Sequence, residues 1–328
     1  MDKASRQNPN SMQHLLAGFL APYVLAMACI PLLSHRGAAT YAQSGLLLGG
    51  WLLIVLSPWL IPSEQPLLRF LAAMSATLVA IKVIDARLDL RRGSPPTWKE
   101  FLAFLANPFV LVRRCLPLER SVPARTNFLR LVLGSVGCAI GIALLNSLFR
   151  VDWQDWPFLL EHASKVMALM LATISGLSAA TALWRWSGGA ARDYMDHPFA
   201  ARTPADFWRK YNRNMQQFFW EDIFKPLGGH RTPVRTTLLV FGLSALIHEL
   251  IFYAAIGRVQ GYQTVFFALH GVAAAMTLRV RTKNGWAAIA WISATLAFNL
   301  TSSVLFFASI HQVTPFYARG LPEWLQGW

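Results

Sequence analysis

The chain has 328 residues, 55% of them hydrophobic and only 14% charged, against about 25% charged in a soluble domain. Its formal net charge is +14, but the basic residues gather between apolar runs. The excess therefore reads as the positive-inside bias and contact with anionic lipid, not as nucleic-acid binding. Cys29, Cys115 and Cys138 match no metal-ligand spacing and no disulfide framework.

Eight apolar runs follow one another along the chain, at 14–33, 45–61, 67–84, 127–148, 161–184, 236–256, 263–279 and 286–308. Each approaches the length that crosses a hydrocarbon core of about 30 Å. The runs are continuous rather than alternating, which predicts spanning helices and not barrel strands. The expected fold class is an all-α, polytopic integral membrane protein, one domain over 1–328, with about eight transmembrane helices plus interfacial or re-entrant helices. The polar start of the chain has Lys3 and Arg6 against Asp2. The apolar run after it is long for a signal peptide and predicts a retained first span. The sequence shows no internal repeat, which speaks against an inverted-repeat transporter.

The first long connection, 85–126, holds Arg87, Arg91, Arg92, Lys99, Arg113, Arg114, Arg120 and Arg125, and its "WKEFLAFLANPFVLVRR" predicts a helix lying in the interface. With eight spans, this loop, the second long loop at 185–235 and the short one with Arg279, Arg281 and Lys283 share one side. The acidic "RVDWQDWP" falls on the other. Both long loops are accordingly expected in the cytoplasm, with both termini outside.

The second loop carries nine Lys or Arg residues together with the aromatic-rich stretch "TPADFWRKYNRNMQQFFWEDIFKPLGG". So many aromatics require a surface or pocket to pack against. Thr203, Pro204 and Asp206 predict a helix start: cap, first position, and an acid near the positive end. A single helix from there would put Phe207, Tyr211, Met215, Phe218 and Phe219 on one face.

Within the spans, "GLSALIHELIFYAAIG" (Gly242 to Gly257) sets His248 and Glu249 inside an apolar run. Ionisable groups at that depth are costly and mark a functional-site hypothesis. His248 reads either as a general base or as a buried histidine bonding between helices. Glu249 orients a neighbour, pairs with a base, or faces another polar group. The segment lacks the second histidine of a zinc protease motif, and no metal is expected. His270, in the next span, suggests a polar cavity shared by two histidines. Glu161, His162 and Lys165 read as an interfacial cluster, and Asn299, Thr301, Ser302 and Ser303 as interhelical hydrogen bonds.

"DFWRKYN" (Asp206 to Asn212), followed by "SALIHELIFY" and "FFALHGV", resembles the membrane-bound O-acyltransferases, and most of all their wax synthase branch. The motif-bearing core runs over about 198–277. The resemblance implies a helix bundle with a tunnel where acyl-CoA meets an acceptor at a buried histidine. His248 matches the family's membrane histidine. Asn212 matches the asparagine closing its aromatic–Trp–Asn motif, and Phe207 and Trp208 match that motif's start. His270 and Gly271 match a recurring pair of unassigned role. Tyr211 departs, standing where the family often has tryptophan.

The implied reaction is transfer of an acyl group from acyl-CoA to the hydroxyl of a lipophilic alcohol, a wax ester synthase-like activity. His248 would be general base and Asn212 would donate to the thioester oxygen or position the leaving thiol. Asp206, Phe207, Trp208, Arg209, Tyr211, Glu249 and His270 would be substrate-binding. No bound cofactor is expected, acyl-CoA being a co-substrate. Partners are the acyl donor, the alcohol and membrane lipids. Two alternatives stay open: a short-chain (acetyl) transferase acting on a sterol, glycerolipid or natural-product hydroxyl, and a lipid or solute transporter using the histidines as a proton relay.

Overall fold

The computed structural model describes residues 9–33, 41–89, 95–118, 122–281 and 285–326, and every regular element among them is helical. The charged residues Asp2, Lys3, Arg6, Arg91, Arg92, Arg120 and Lys283 lie outside the described residues. In chain order the main helices are α1 (Pro9–Ala28), α2 (Tyr41–Leu56), α3 (Pro66–Asp89), α4 (Trp98–Ala106), α5 (Ala124–Phe149) and α6 (Phe158–Trp186). They continue with α7 (Pro204–Lys210), α8 (Arg213–Phe218), α9 (Pro233–Ile256), α10 (Tyr262–Thr277), α11 (Trp286–Val313) and α12 (Glu323–Gln326).

Six helical segments among the described residues are long and apolar enough to cross a membrane: Tyr41–Leu60, Pro66–Asp89, Ala124–Phe149, Phe158–Trp186, Pro233–Ile256 and Trp286–Val313. They coincide with six of the eight expected spans. The other two expected spans fall on shorter apolar stretches, Met12–Ala28 and Tyr262–Thr277. The first expected span breaks after Ala28, because Pro31 offers no N–H and its ring crowds the preceding turn; a separate turn, Ile30–Leu33, follows. Helix α10 has 16 residues, about 24 Å at 1.5 Å per residue, short of a bilayer core of about 30 Å.

The chain divides into two compact units, 1–106 with 247–260, and 107–246 with 261–328. In the first, Ala73, Ile251 and Ala254 form a small core flanked by Trp59, Phe70 and Ile247. The rings of Phe70 and Phe252 lie 5.0 Å apart. The ammonium of Lys82 on α3 donates to the carbonyls of Phe104 (2.7 Å) and Leu105 (3.1 Å), the bare C-terminal oxygens of α4. That lysine is only 2% exposed. A buried lysine thus tethers the "WKEFLAFLA" helix, whose Phe101, Phe104 and Leu105 are buried.

The second unit opens with the α5–α6 hairpin. Its packing follows from small residues: a Cβ at Gly141 would fall 2.4 Å from the backbone nitrogen of Ala172. Only glycine admits that approach, and close backbone packing substitutes for the missing hydrophobic drive between helices in lipid. Asn127 supports the pair by donating to the carbonyl of Ala182 at 2.9 Å. A second core joins α6 to α11 and the C-terminal segment through Val166, Val304, Phe307, Phe316, Tyr317 and Leu325. A third gathers Ala205, Phe241, Ala245, Phe266, Phe267 and Ala274, with Trp208 packed on it. This third core is the bed on which the motif helix α7 rests.

Candidate functional site

Helix α7 begins as its sequence dictates. Thr203 is extended (φ −147°), and its hydroxyl accepts from the Asp206 amide at 3.1 Å, with Pro204 in the first position. Asp206 in turn accepts from the Arg202 amide and from Lys210 Nζ, both at 3.0 Å. Its partners are therefore local. Arg209 lies 3.9 Å from the same carboxylate with its side chain 60% exposed.

The expected single long helix is not formed. The chain leaves α7 at Tyr211, which is extended, and turns through Asn212 in the left-handed region (φ 44°) before α8 starts at Arg213. Asparagine tolerates that backbone better than other L-residues, and its Oδ1 caps α8 by accepting from the Met215 amide at 3.2 Å. Phe207 and Tyr211 still stack, with centroids 5.2 Å apart and planes 17° off parallel. Beyond the break, the chain from Phe219 to Phe224 widens into a π-turn, so Met215, Phe218 and Phe219 do not continue that face.

The Asn212 side chain also hydrogen-bonds Tyr194, and Tyr194 and Asp196 are laced to the break through their backbones, Arg213 N–H to Tyr194 O (2.8 Å) and Asp196 N–H to Lys210 O (2.9 Å). Burial raises the Tyr194 phenol above its ordinary pKa, against a lowering by the Asn212 contact. Tyr211 is pushed up to about 12, first by burial and then by neighbouring Tyr194. Both phenols are therefore neutral at physiological pH. With Oδ1 spent on the cap, the Tyr194 contact falls to the amide nitrogen, and its second N–H is what Asn212 has left to donate.

Trp208 points into the third core. Its indole N–H donates to His270 Nδ1 at 3.1 Å, and its ring meets Phe241 edge-on at 5.4 Å. An indole nitrogen can only donate, so Nδ1 is the acceptor and His270 carries its proton on Nε2. That proton goes to Ser302 Oγ at 2.8 Å, and Ser302 donates to the Phe298 carbonyl at 2.6 Å. Both ring nitrogens of His270 are committed, and the ring is 1% exposed. The adjacent Gly271 lets α10 approach α9, since a Cβ there would sit 2.8 Å from the Cβ of Phe241.

His248 and Glu249 lie on the stretch of α9 grouped with the first unit; His248 is half-buried and Glu249 is 7% exposed. The structure thus brings together Trp208 with His270 and Phe207 with Tyr211, and ties Asp206 to Lys210 and Arg209.

A second polar network, the cluster that the sequence suggests at the entry of the fifth expected span, is buried within the protein. Glu161, His162 and Lys165 are 3%, 1% and 1% exposed. Lys165 donates to Glu161 (2.6 Å) and to the Phe316 carbonyl (2.8 Å), and Glu161 accepts from the Ala318 amide (2.8 Å). His162 lies 2.8 Å from the Tyr317 hydroxyl and 3.0 Å from the Leu300 carbonyl. A carbonyl can only accept, so Nε2 donates there and Nδ1 receives the Tyr317 proton. Burial first, and Glu161 second, hold the Tyr317 phenol above its usual pKa. The network pins the C-terminal segment to α6. Sequence reasoning missed Tyr317, Tyr194 and Lys82; nothing in their local pattern signals a distant partner. Among the described residues no group of three His, Cys, Asp or Glu side chains is placed to hold a metal.

Residues 155–307 match the model of the MBOAT, membrane-bound O-acyltransferase family. The match covers a little under half of the chain, takes in α6, α7 and the helices bearing His248 and His270, and extends beyond 198–277 on both sides. It supports the MBOAT superfamily and, with it, a membrane-bound O-acyltransferase. No curated protein matches the chain.

Proposed function

We propose that the protein transfers an acyl group from acyl-CoA to the hydroxyl of a lipophilic alcohol, giving a neutral ester in the membrane. The family match over 155–307 carries this reading, and the wax synthase-like motif order Asp206–Asn212, His248, His270 supports the choice of acceptor. His248 is the base. Its claim rests on the motif, in which His248 stands where the family has its membrane histidine.

In the reaction the imidazole of His248 takes the alcohol proton as the oxygen attacks the thioester carbonyl. The tetrahedral centre collapses, the C–S bond breaks, and the departing thiolate takes the proton from the imidazolium. No acyl-enzyme is needed, since no serine or cysteine sits in a nucleophile motif. Asn212 contributes its amide N–H to the thioester oxygen or the leaving sulfur. Trp208 and His270 hold α7 in place, and Asp206 shapes its start. Arg209, which faces water, meets CoA phosphate. The long basic loops lie in the cytoplasm, where CoA is supplied.

An acceptor that is apolar apart from one hydroxyl fits the setting. Leu246, Ile247, Leu250 and Ile251 flank His248, and desolvating a sugar there would cost several kcal/mol without built-in partners. Membranes containing the protein, offered labelled long- and short-chain acyl-CoAs with mixed alcohols, should place label in wax, steryl or glyceride esters. Label confined to water-soluble material would overturn the reading, and preference for acetyl-CoA would move it to the short-chain alternative.

A further inference from the structure

The first turns of α9 turn one face outward. Val234, Arg235, Leu238 and Leu239 are exposed, while Thr236 and Thr237 between them are buried. Arg235 stands three and four residues before the two leucines, the spacing that aligns side chains on one side of a helix. That side is concave. Pro233, Val234, Leu238 and Leu239 line an open groove of about 620 Å³, and Arg235 and Arg279 line it with them. Arg279 comes from the turn just past the end of α10, where the Val280 amide bonds back to the Thr277 carbonyl at 3.2 Å. Its side chain is exposed as well. The whole groove belongs to the second unit.

Its volume falls in the range of small-molecule sites, about 300–1,000 Å³, and its chemistry is split. Two guanidiniums stand where α9 begins and α10 ends. The apolar wall runs from there to Leu239, about 6 Å further along α9 at 1.5 Å per residue. A molecule with an anionic head and an apolar chain matches both parts. No Asp or Glu among the described residues lines the groove, so an ammonium head group would meet two like charges and no counter-charge. A guanidinium holds phosphate through two parallel N–H···O bonds, and basic pockets between membrane helices suit lipid head groups. A small soluble anion would leave the apolar wall unused. Arginines that only snorkel to the interface need no groove.

We propose that this groove binds an anionic glycerophospholipid, with its phosphate held by Arg235 and Arg279 and the start of an acyl chain along Val234, Leu238 and Leu239. The bound lipid ties the beginning of α9 to the end of α10. Nothing in this binding requires acyl transfer, so the site stands whether or not that activity is found.

Purified full-length protein in a neutral detergent is titrated with phosphatidylglycerol, with phosphatidylcholine of the same acyl chains, with inorganic phosphate and with palmitoyl-CoA, reading the melting temperature. Phosphatidylglycerol should raise it to a plateau, and phosphatidylcholine and inorganic phosphate should not. Arg235→Gln and Arg279→Gln alter exposed side chains, so without lipid both should melt like the wild type. Each should weaken phosphatidylglycerol binding about tenfold, roughly the loss of one charge-assisted hydrogen bond. Any response to palmitoyl-CoA should be the same in both variants as in the wild type. Arg150→Gln, at an exposed position just after α5, should bind phosphatidylglycerol like the wild type. The site is refuted if phosphatidylglycerol has no effect or acts no better than phosphatidylcholine, or if inorganic phosphate replaces it. It is refuted equally if the groove variants respond to phosphatidylglycerol like the wild type, which would leave the arginines as interfacial charges, or if Arg150→Gln loses as much as they do. A palmitoyl-CoA response lost in the groove variants would give the groove to the acyl donor instead.

Discussion

The indole of Trp208 donates its proton to Nδ1 of His270 at 3.1 Å, joining the motif helix α7 to α10 across 62 positions of sequence. That bond decides the tautomer of His270 and, through Ser302, ends on the backbone of α11. Trp208→Phe keeps most of the ring volume and removes the donor. It should lower stability by about 1–2 kcal/mol, because Nδ1 is left buried and unpaired. Thermal unfolding in detergent reads this. A melting temperature equal to the wild type would show that the bond contributes nothing.

His248→Ala should lower acyl transfer by about 10² to 10⁴-fold, the usual worth of a general base, with the melting temperature little changed. His270→Ala should cost less in rate and more in stability, because its ring bridges Trp208 and Ser302. Reversed rates in the two variants would assign the base to His270.

The Glu161–Lys165 pair is buried at 2.6 Å. Lys165→Met strands a carboxylate and should destabilise by about 3–5 kcal/mol. Adding Glu161→Gln should recover much of the loss, since glutamine still accepts from the Ala318 amide without carrying charge. Melting temperatures of the two singles and the double variant check this, and additivity of the single losses would count against coupling.

Gly141→Ala should separate α5 from α6, since its Cβ would fall 2.4 Å from a backbone nitrogen that cannot move away cheaply. Gly45→Ala, with nothing within 4 Å of the added carbon, should be neutral or slightly stabilising, alanine being the better helix former. Expression level and monodispersity in detergent distinguish them.

Tyr211, pushed up to about 12, links stability to alkaline pH. Its phenol is neutral in both states below the unfolded value of about 10, so its contribution is fully present there. Above it the unfolded chain ionises while the folded one resists, and the contribution is lost as pH rises through about 10 to 12. Tyr211→Phe should flatten the fall in melting temperature over that window, and an unchanged slope would place the titration elsewhere.

The apolar runs were enough to mark where the six long apolar helices among the described residues lie, because a membrane span must satisfy its own backbone and so writes its length into continuous hydrophobicity. The start of α7 was equally legible, since a cap is a contract among four consecutive residues, Thr203 to Asp206. The order of the motifs pointed to the membrane-bound O-acyltransferases, which the family match over 155–307 supports. What stayed hidden depended on residues far apart in sequence. The break at Asn212 interrupts a pattern that reads as one helix, and a left-handed residue leaves no periodic signal. Glu161 and Lys165 read as charges at a span entrance, and only the packed chain shows the C-terminal segment covering them. His270 reads as one side of a shared polar cavity until Trp208 and Ser302 occupy both its nitrogens. Hydrogen-bond partners and burial are properties of the packed chain: one local sequence is compatible with a free, a bonded or an orphaned polar group, and only tertiary contacts choose among them.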